Sequence, residues 1–262
     1  PPAAEGVAGA IVSRQVHEPL VASVAAPYGG RPRPAGLATA IKPSPDRTLW
    51  TLQLRAGVSF QDGTPFNAAA VLVSSRRWIS TAAGRALLPE LFAVDAPRPG
   101  EVRFLLRSPV GDLGRRLAEP RLAIVSPRAL DPQSGEGSRF RDGARGSGTG
   151  AFVAGGQGGG GDELIRNPGW WGTGEGLGPA LESVRFVGLP TALRRAAALR
   201  SGRVQVAGPL PPAELRRLAA DPLLITLPAA GEGVGASAAL RGLPPRRPLP
   251  LISAVWLTTL TG

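Results

Sequence analysis

Apolar residues at Val12, Val16, Leu20 and Val24 recur every four positions, the spacing of one helix face, and predict a helical stretch within residues 1–24. The Pro- and Gly-rich segment Ala26–Pro34 reads as a loop. From Leu49 to Leu54 the pattern switches to alternation, with Leu49, Thr51 and Gln53 set against Trp50, Leu52 and Leu54, which predicts a half-buried strand. Asp62-Gly63-Thr64-Pro65 has turn composition, and Asn67 is placed to cap a helix running to about Thr81 with Val71 and Trp78 on its apolar stripe. Gly84 and Pro89 read as the close of that helical region. EVRFLLR (Glu101–Arg107) predicts a second strand, and Gly111–Glu119 a short helix with Leu113 and Leu117 inward, stopped by Pro120.

Apolar residues then nearly vanish between Pro127 and Gly150, which reads as a long loop or linker. Short strands are expected at Ala151–Ala154 and Glu163–Arg166, paired as a hairpin around the Gly155–Gly161 run. Leu181–Leu189 predicts another strand and Thr191–Arg200 a helix burying Leu193, Ala197 and the Leu199 side. Pro212–Ala220 predicts a helix with Pro at its start. Beyond Gly231 the pattern fades, and no repeat of solenoid period is visible.

Composition narrows the function more than the fold. The 262 residues suffice for one large or two ordinary domains, but 36 Gly and 28 Pro call for many turns, and a 5% aromatic content makes the core one of small side chains. With no Cys and a single His, disulfides, thiolate nucleophiles, Cys-ligated metal sites and His clusters are excluded, and with them most metal and cysteine chemistry. No apolar run reaches the length of a membrane span. The chain begins at Pro1 and contains no Met, so an initiator and any secretion signal are expected to lie outside this sequence. The net charge of +11 favours anionic partners. Lys42 is the only lysine, however, and Arg in place of Lys beside abundant Ala, Gly and Pro is what GC-rich coding produces, so drift accounts for much of the basicity.

Each motif carries a functional and a plain reading. GGQGGGGD (Gly155–Asp162) resembles a phosphate-cradling loop but lacks the Gly-Lys-Ser/Thr ending and a following helix, so it reads as a flexible hairpin turn. GSGTG (Gly146–Gly150) precedes a strand and fails the dinucleotide fingerprint. His17 beside Glu18 is half of a metal or acid–base site with no second imidazole to complete it; a helix-face His is the plain reading. No GxSxG elbow is present. The five Arg-Arg pairs sit mostly in predicted helices, where they cover the solvent side, and few aromatics are available to stack on bases, so nucleic acid is not expected as a partner. Trp170-Trp171 offers either a ligand-stacking surface or a local aromatic plug after a turn.

Four strings together resemble one family, the extracytoplasmic solute-binding proteins (family 5) of peptide, nickel and opine ABC importers. SPDRTLWTLQLRAGVSFQDGTPFNAAAVLVSSRRW (Ser44–Trp78) is similar to the family's strand, L-R-x-G-V-x-F-x-D-G-T-P turn and helix. SGTGAF (Ser147–Phe152) followed by ELIRNPGWWG (Glu163–Gly172) resembles its G-T-G-P-Y strand and R-N-P-x-Y-W. LESVRFVGLPTALRRAAALRSGRVQVA (Leu181–Ala207) resembles the strand and helix ending in S-G-E-V-D, and EGVAGAIVSRQVHEPLV (Glu5–Val21) the run into Y-E-P-L. Against the family's habit, Gln61 stands for His, Ala70 for Asp, Ala151 for Pro, and Arg203 and Gln205 for Glu and Asp.

The resemblance implies a mixed α/β lobe of the type II (cluster C) periplasmic-binding-protein kind, with the second lobe absent. A base subdomain (1–17 and 146–240) would be interrupted by an inserted subdomain (18–145) and followed by a divergent tail (241–262). It further implies a non-enzymatic, extracytoplasmic binding protein without catalytic residues, metal or cofactor, which captures oligopeptides or similar small solutes for ABC-transporter membrane subunits, with a separate chain as a candidate source of the second lobe. In oligopeptide-binding relatives the segment matching Glu5, Gly6 and Val7 lies along the bound peptide, so these residues join Trp170 and Trp171 as candidate ligand contacts. The alternative is a truncated remnant or accessory lobe acting as a protein-interaction module without solute binding, and a third, weaker reading is an Arg-rich anion or nucleic-acid binder.

Overall fold

The computed structural model describes residues 7–24, 33–34, 36–131, 148–158, 161–177, 179, 181–227 and 237–240. These fall into two compact units. Residues 13–131, 148–153 and 167–176 belong to the first, and 7–12, 154–158, 161–166 and the residues from Leu177 onward to the second. Residues 13–17, 148–153 and 167–176, which the sequence placed with the flanking base, thus cluster with the first unit.

In the first unit, helix α1 (Val7–Val16), whose opening residues count with the other unit, is shorter than the four-residue repeat predicted. Pro19 disfavours helical backbone at Glu18, so the chain leaves the helix at His17. Leu20 is buried by the outgoing segment, and Val24 pairs in a two-residue strand β1 (Ser23–Val24) with β2 (Arg33–Pro34), inside part of the predicted loop. An antiparallel sheet of order β3-β4-β6-β5 follows: β3 (Ala38–Pro43), β4 (Leu49–Leu54), β5 (Leu91–Arg98) and β6 (Glu101–Leu106). Period-two patterning sends Trp50, Leu52 and Leu54 of β4 and Val102, Phe104 and Leu106 of β6 to the same buried face, where Trp50 lies opposite Phe104 and Leu52 opposite Val102.

Helix α2 (Ala68–Ser80) covers that face. Asn67 Oδ1 accepts from the Ala69 and Ala70 amides at 2.9 and 3.4 Å, satisfying the first turn. The buried Trp78 ring stacks on Phe104 with centroids 6.5 Å apart. Gly84 does not end the helical region. It lies inside α3 (Ala82–Leu87), where a Cβ would stand 2.1 Å from the Trp78 carbonyl oxygen, so only glycine permits the approach. Helix α4 (Leu113–Arg116) buries Leu113 and Leu117 as predicted, and Pro120 opens a 3-10 turn, Pro120–Leu122. The expected loop from Pro127 starts as a helical turn, α5 (Pro127–Leu130), because Ser126 caps it and Pro127 supplies the fixed φ of a first helical residue. The last element of this unit is α6 (Trp171–Gly174), after the R-N-P turn.

Among its described residues the second unit holds two three-stranded sheets and two helices of its own. β7 (Phe152–Gly158), β8 (Gly161–Arg166) and β9 (Ser183–Val187) form the first sheet in that order, so the glycine run is largely strand rather than turn. Gly155 sits where a Cβ would meet the Ile165 side chain at 2.7 Å. Helix α7 (Ala192–Arg200), capped by Thr191, presents a different face from the one predicted. Leu193 is 66% exposed and Ala197 is also exposed, while Arg195, Ala196, Ala198 and Leu199 are buried. The inward stripe therefore starts at Ala192 and runs through Arg195, Ala196 and Leu199. Arg195 fits there because its Nε and Nη2 donate to the Pro209 carbonyl at 3.1 and 2.9 Å and its Nη1 to Leu189 at 2.9 Å. This member of an Arg-Arg pair is thus interior, not on the solvent side. β10 (Val206–Ala207), helix α8 (Pro212–Ala219), β11 (Leu224–Leu227) and β12 (Ser237–Leu240) complete the unit, with sheet order β10-β12-β11. The predicted tail beyond Leu240 lies outside the described residues.

Candidate functional site

The first unit concentrates its buried polar groups where the chain leaves α1. Three segments meet there: the His17-Glu18-Pro19 exit, the Gly148-Thr149-Gly150 strand entry, and the turn 167–176. Both glycines of the entry are required. A Cβ on Gly148 would lie 1.9 Å from the Val16 carbonyl oxygen and one on Gly150 2.4 Å from that of Gln15. The Gly150 amide instead donates to Val16 O at 2.9 Å, and the Gln61 amide donates to Gly148 O at 2.9 Å. The glycine motif thus serves backbone approach. Gln61, at the position where the family often carries His, donates its Nε2 to the Phe152 carbonyl at 2.8 Å.

Asn167 sets the turn. Its amide donates to Ala151 O at 2.8 Å, its Nδ2 to Gly150 O at 3.0 Å, and its Oδ1 accepts from the Gly169 amide at 3.1 Å. The following Trp170 and Trp171 are thereby aimed at one acceptor. Trp170 Nε1 donates to Glu18 Oε1 at 3.1 Å and Trp171 Nε1 to Glu18 Oε2 at 2.9 Å, with ring centroids 5.2 Å apart. Trp170 is 3% exposed; Trp171 is half-buried against the core of this unit. The Arg55 guanidinium carbon lies 3.8 Å from the Trp171 ring centroid, an arrangement that attracts cation to ring, and its Nη1 pairs with Glu175.

Glu18 is only 2% exposed. Burial pushes its carboxyl up to about 7, against the hydrogen bonds from Trp171 and Trp170, the nearby Thr149 hydroxyl and the charge of Arg55, all of which favour the ionised form. Thr149 approaches the carboxyl without the alignment of a full hydrogen bond. His17, equally enclosed, is drawn down to about 3 by burial and by the positive charge of Arg77, so it is neutral at every physiological pH. Neither ring nitrogen of His17 has a hydrogen-bond partner among the described residues. His17 and Glu18 therefore do not form an acid–base pair: the helix exit sends the imidazole one way and the carboxyl to the indoles. Among the described residues no group of three or more His, Asp or Glu is placed to hold a metal ion, and no helix is long and apolar enough to cross a membrane.

Of the candidate ligand contacts, Trp170 and Trp171 come together with their N–H groups committed to Glu18. Val7 is the first residue of α1 and clusters with the second unit; Glu5 and Gly6 lie outside the described residues. Sequence reasoning weighed Glu18 only as a partner of His17 and gave Arg55 and Asn167 no role. The available signal was chemical: two adjacent indoles carry donors only, and when buried they need an acceptor.

Comparison with known proteins agrees with this framework. The probable D,D-dipeptide-binding periplasmic protein of Escherichia coli strain K12 is 31% identical over 118 residues, covering 45% of this chain and 23% of that protein. The glutathione-binding protein of Escherichia coli O1:K1 is 31% identical over 188 residues, 67% of this chain and 33% of that protein. An ABC transporter substrate-binding protein from Sinorhizobium meliloti superposes with a TM-score of 0.69 at 27% identity, over 84% of this chain and 44% of that one. The chain thus spans less than half the length of each of these three proteins, and its mixed α/β architecture matches part of a type II periplasmic binding protein. The family model for the middle region of the bacterial extracellular solute-binding proteins, family 5, matches residues 34–237, and this chain belongs to that family.

Proposed function

We propose that this chain is part of the solute-capturing component of an ABC importer, binding short peptides or peptide-like solutes non-covalently on the extracytoplasmic side and delivering them to the transporter's membrane subunits. The observation that carries the reading is the 31% identity to two proteins named for a dipeptide and for glutathione, both peptide-like ligands. The site chemistry is consistent with binding: its one buried acid is held by two indole donors, and its one imidazole is buried and neutral.

In this reading Glu5, Gly6 and Val7 contact the solute backbone, the accessible part of Trp171 adds apolar contact, and Trp170 acts as a positioning residue through Glu18. Enclosure of a small ligand takes surfaces on both of its sides, so the reading includes a second lobe, from this protein or from a separate chain. Isothermal titration calorimetry with glutathione, D-Ala-D-Ala and a mixed dipeptide pool tests it. Saturable heat with at least one of them is expected, and flat traces up to millimolar ligand overturn it.

One observation favours the alternative of an interaction module: Leu193 and Leu223 in the second unit are each 66% exposed. Sedimentation velocity showing self-association, lost in a Leu193→Ser/Leu223→Ser variant, would support it.

A further inference from the structure

We propose that Glu18 is a proton-operated latch for the turn 167–176: the closed turn seals over a Glu18 carboxyl that keeps its proton, and loss of that proton favours opening of the turn. The inference does not depend on the identity of the solute.

Three features of the first unit carry it. The first is the origin of the donors. Both Glu18 oxygens are occupied by indoles from the single segment 167–176, so the carboxyl regains water when that segment lifts. The second is charge. Among the described residues the cation that acts on Glu18 is Arg55, which is stacked on Trp171 and paired with Glu175, so its charge is shared between two carboxyls. From the exit of α1, His17 contributes a neutral ring; from α2, Arg77 acts on His17; from the Gly148–Gly150 entry, Thr149 contributes only a hydroxyl. An enclosed carboxylate with so little positive charge facing it is costly, and the closed state therefore favours the acid form. The third is that the segment's hold is local. Besides the buried Trp170 ring and Trp171 packed on the core, it is held by Asn167, by the one-turn helix α6 and by the Arg55–Glu175 pair, not by a strand of the four-stranded sheet, and it ends at Gly176 in the left-handed region, φ +72°.

Linkage then fixes the direction. A closed state that holds the proton up to about pH 7, against an open state that releases it near the ordinary value of 4.5, loses ground to opening as pH rises between those two values.

The test uses the full chain, 15N-labelled, followed by its indole N–H resonances from pH 5 to 8. The Trp170 and Trp171 resonances are expected to titrate together with a midpoint near 7, while those of Trp50 and Trp78, whose indole nitrogens make no hydrogen bond, stay in place. Hydrogen-exchange protection of the two latch indoles, corrected for intrinsic chemical exchange, should fall by about 70-fold between pH 5 and 8, part of the roughly 300-fold span that separates 4.5 from about 7. Glu18→Gln should abolish both effects. Trp171→Phe removes one donor that stabilises the carboxylate and should raise the midpoint seen at Trp170; this arm keeps the proposal testable if the Gln variant does not fold. A midpoint below 5, pH-independent protection, or an unmoved midpoint in Trp171→Phe would overturn it.

Discussion

Replacing Glu18 by Gln while leaving His17 in place should change the shape of the pH–stability curve of the first unit, not only its height. Folding lowers the His17 pKa from 6.5 to about 3. Below pH 6.5 the unfolded chain therefore binds a proton that the folded chain refuses, and the stability associated with His17, complete above 6.5, is lost as pH falls toward 3. At 1.36 kcal/mol per pKa unit the full span amounts to at most about 5 kcal/mol. Glu18 works in the opposite sense. Its folded pKa is raised from 4.5 to about 7, so the associated stability is complete below 4.5 and is lost as pH rises through 7, by about 3 kcal/mol. Between 4.5 and 6.5 the folded state holds one proton on Glu18 and the unfolded state one on His17. The proton counts match and the two slopes cancel. The native protein should therefore show a plateau from this pair across that window, falling on the acid side through His17 and on the alkaline side through Glu18. In Glu18→Gln the His17 slope is unmasked, and stability should climb by roughly 2–3 kcal/mol from pH 4.5 to 6.5, from a lower baseline because one indole N–H now faces an amide that cannot accept from both rings. Urea melts read by tryptophan fluorescence follow this, since four of the chain's five tryptophans, Trp50, Trp78, Trp170 and Trp171, lie in the first unit. A flat profile for Glu18→Gln over that window, at constant m-value, would refute the assignment of the two buried protonation states.

Three substitutions probe the framework elsewhere. Gly148→Ala forces a Cβ to within 1.9 Å of the Val16 carbonyl oxygen, so it should displace the strand entry and sharply lower the thermal midpoint of the first unit, whereas Gly57→Ala, with nothing within 4 Å, should suffer only the strain of its positive φ. Asn67→Ala removes the side-chain acceptor for two α2 amides and should cost about 1 kcal/mol in urea denaturation, recovered in large part by Asn67→Ser. Arg195→Met leaves the Leu189 and Pro209 carbonyls without their buried donor and should destabilise the second unit by about 1–3 kcal/mol, read as loss of amide protection in α7 with no change in the first unit.

The elements legible in the sequence were those whose patterning is local. β4 and β6 alternate cleanly because each is an interior strand with one face on the core, and α2 declares itself through Asn67 and the Val71–Trp78 stripe. Of the four strands in that sheet, the two that escaped, β3 and β5, are its edges. Edge strands tolerate proline and charge, and β5 carries Asp95 and Pro97 with a register shift between Asp95 and Arg98, so its alternation is broken where the Asp95–Arg103 ion pair crosses to β6. The inward face of α7 was misjudged for another reason. Arg195 reads as a solvent residue unless the two carbonyls that accept its guanidinium are known, and those come from loops on either side of the helix.

The site was harder to read than the fold because its bonds join distant parts of the chain. Glu18 lies 152 residues from Trp170, and Arg55 lies 120 from Glu175. What the sequence did contain was a demand: two consecutive indoles, each a donor with no acceptor capacity, following a turn set by Asn167. The ligand reading of that pair and the plug reading make different use of the same N–H groups. A stacking surface leaves them to point at solute or water; a plug spends them inside. Here both are spent on one carboxyl, and Arg55 covers a face of the Trp171 ring. Any solute contact at this pair is therefore confined to the accessible part of Trp171 and is made with the indole already fixed in orientation. The protonation of Glu18 then sets how firmly that orientation is kept, and ties a surface contact to a proton held in the interior.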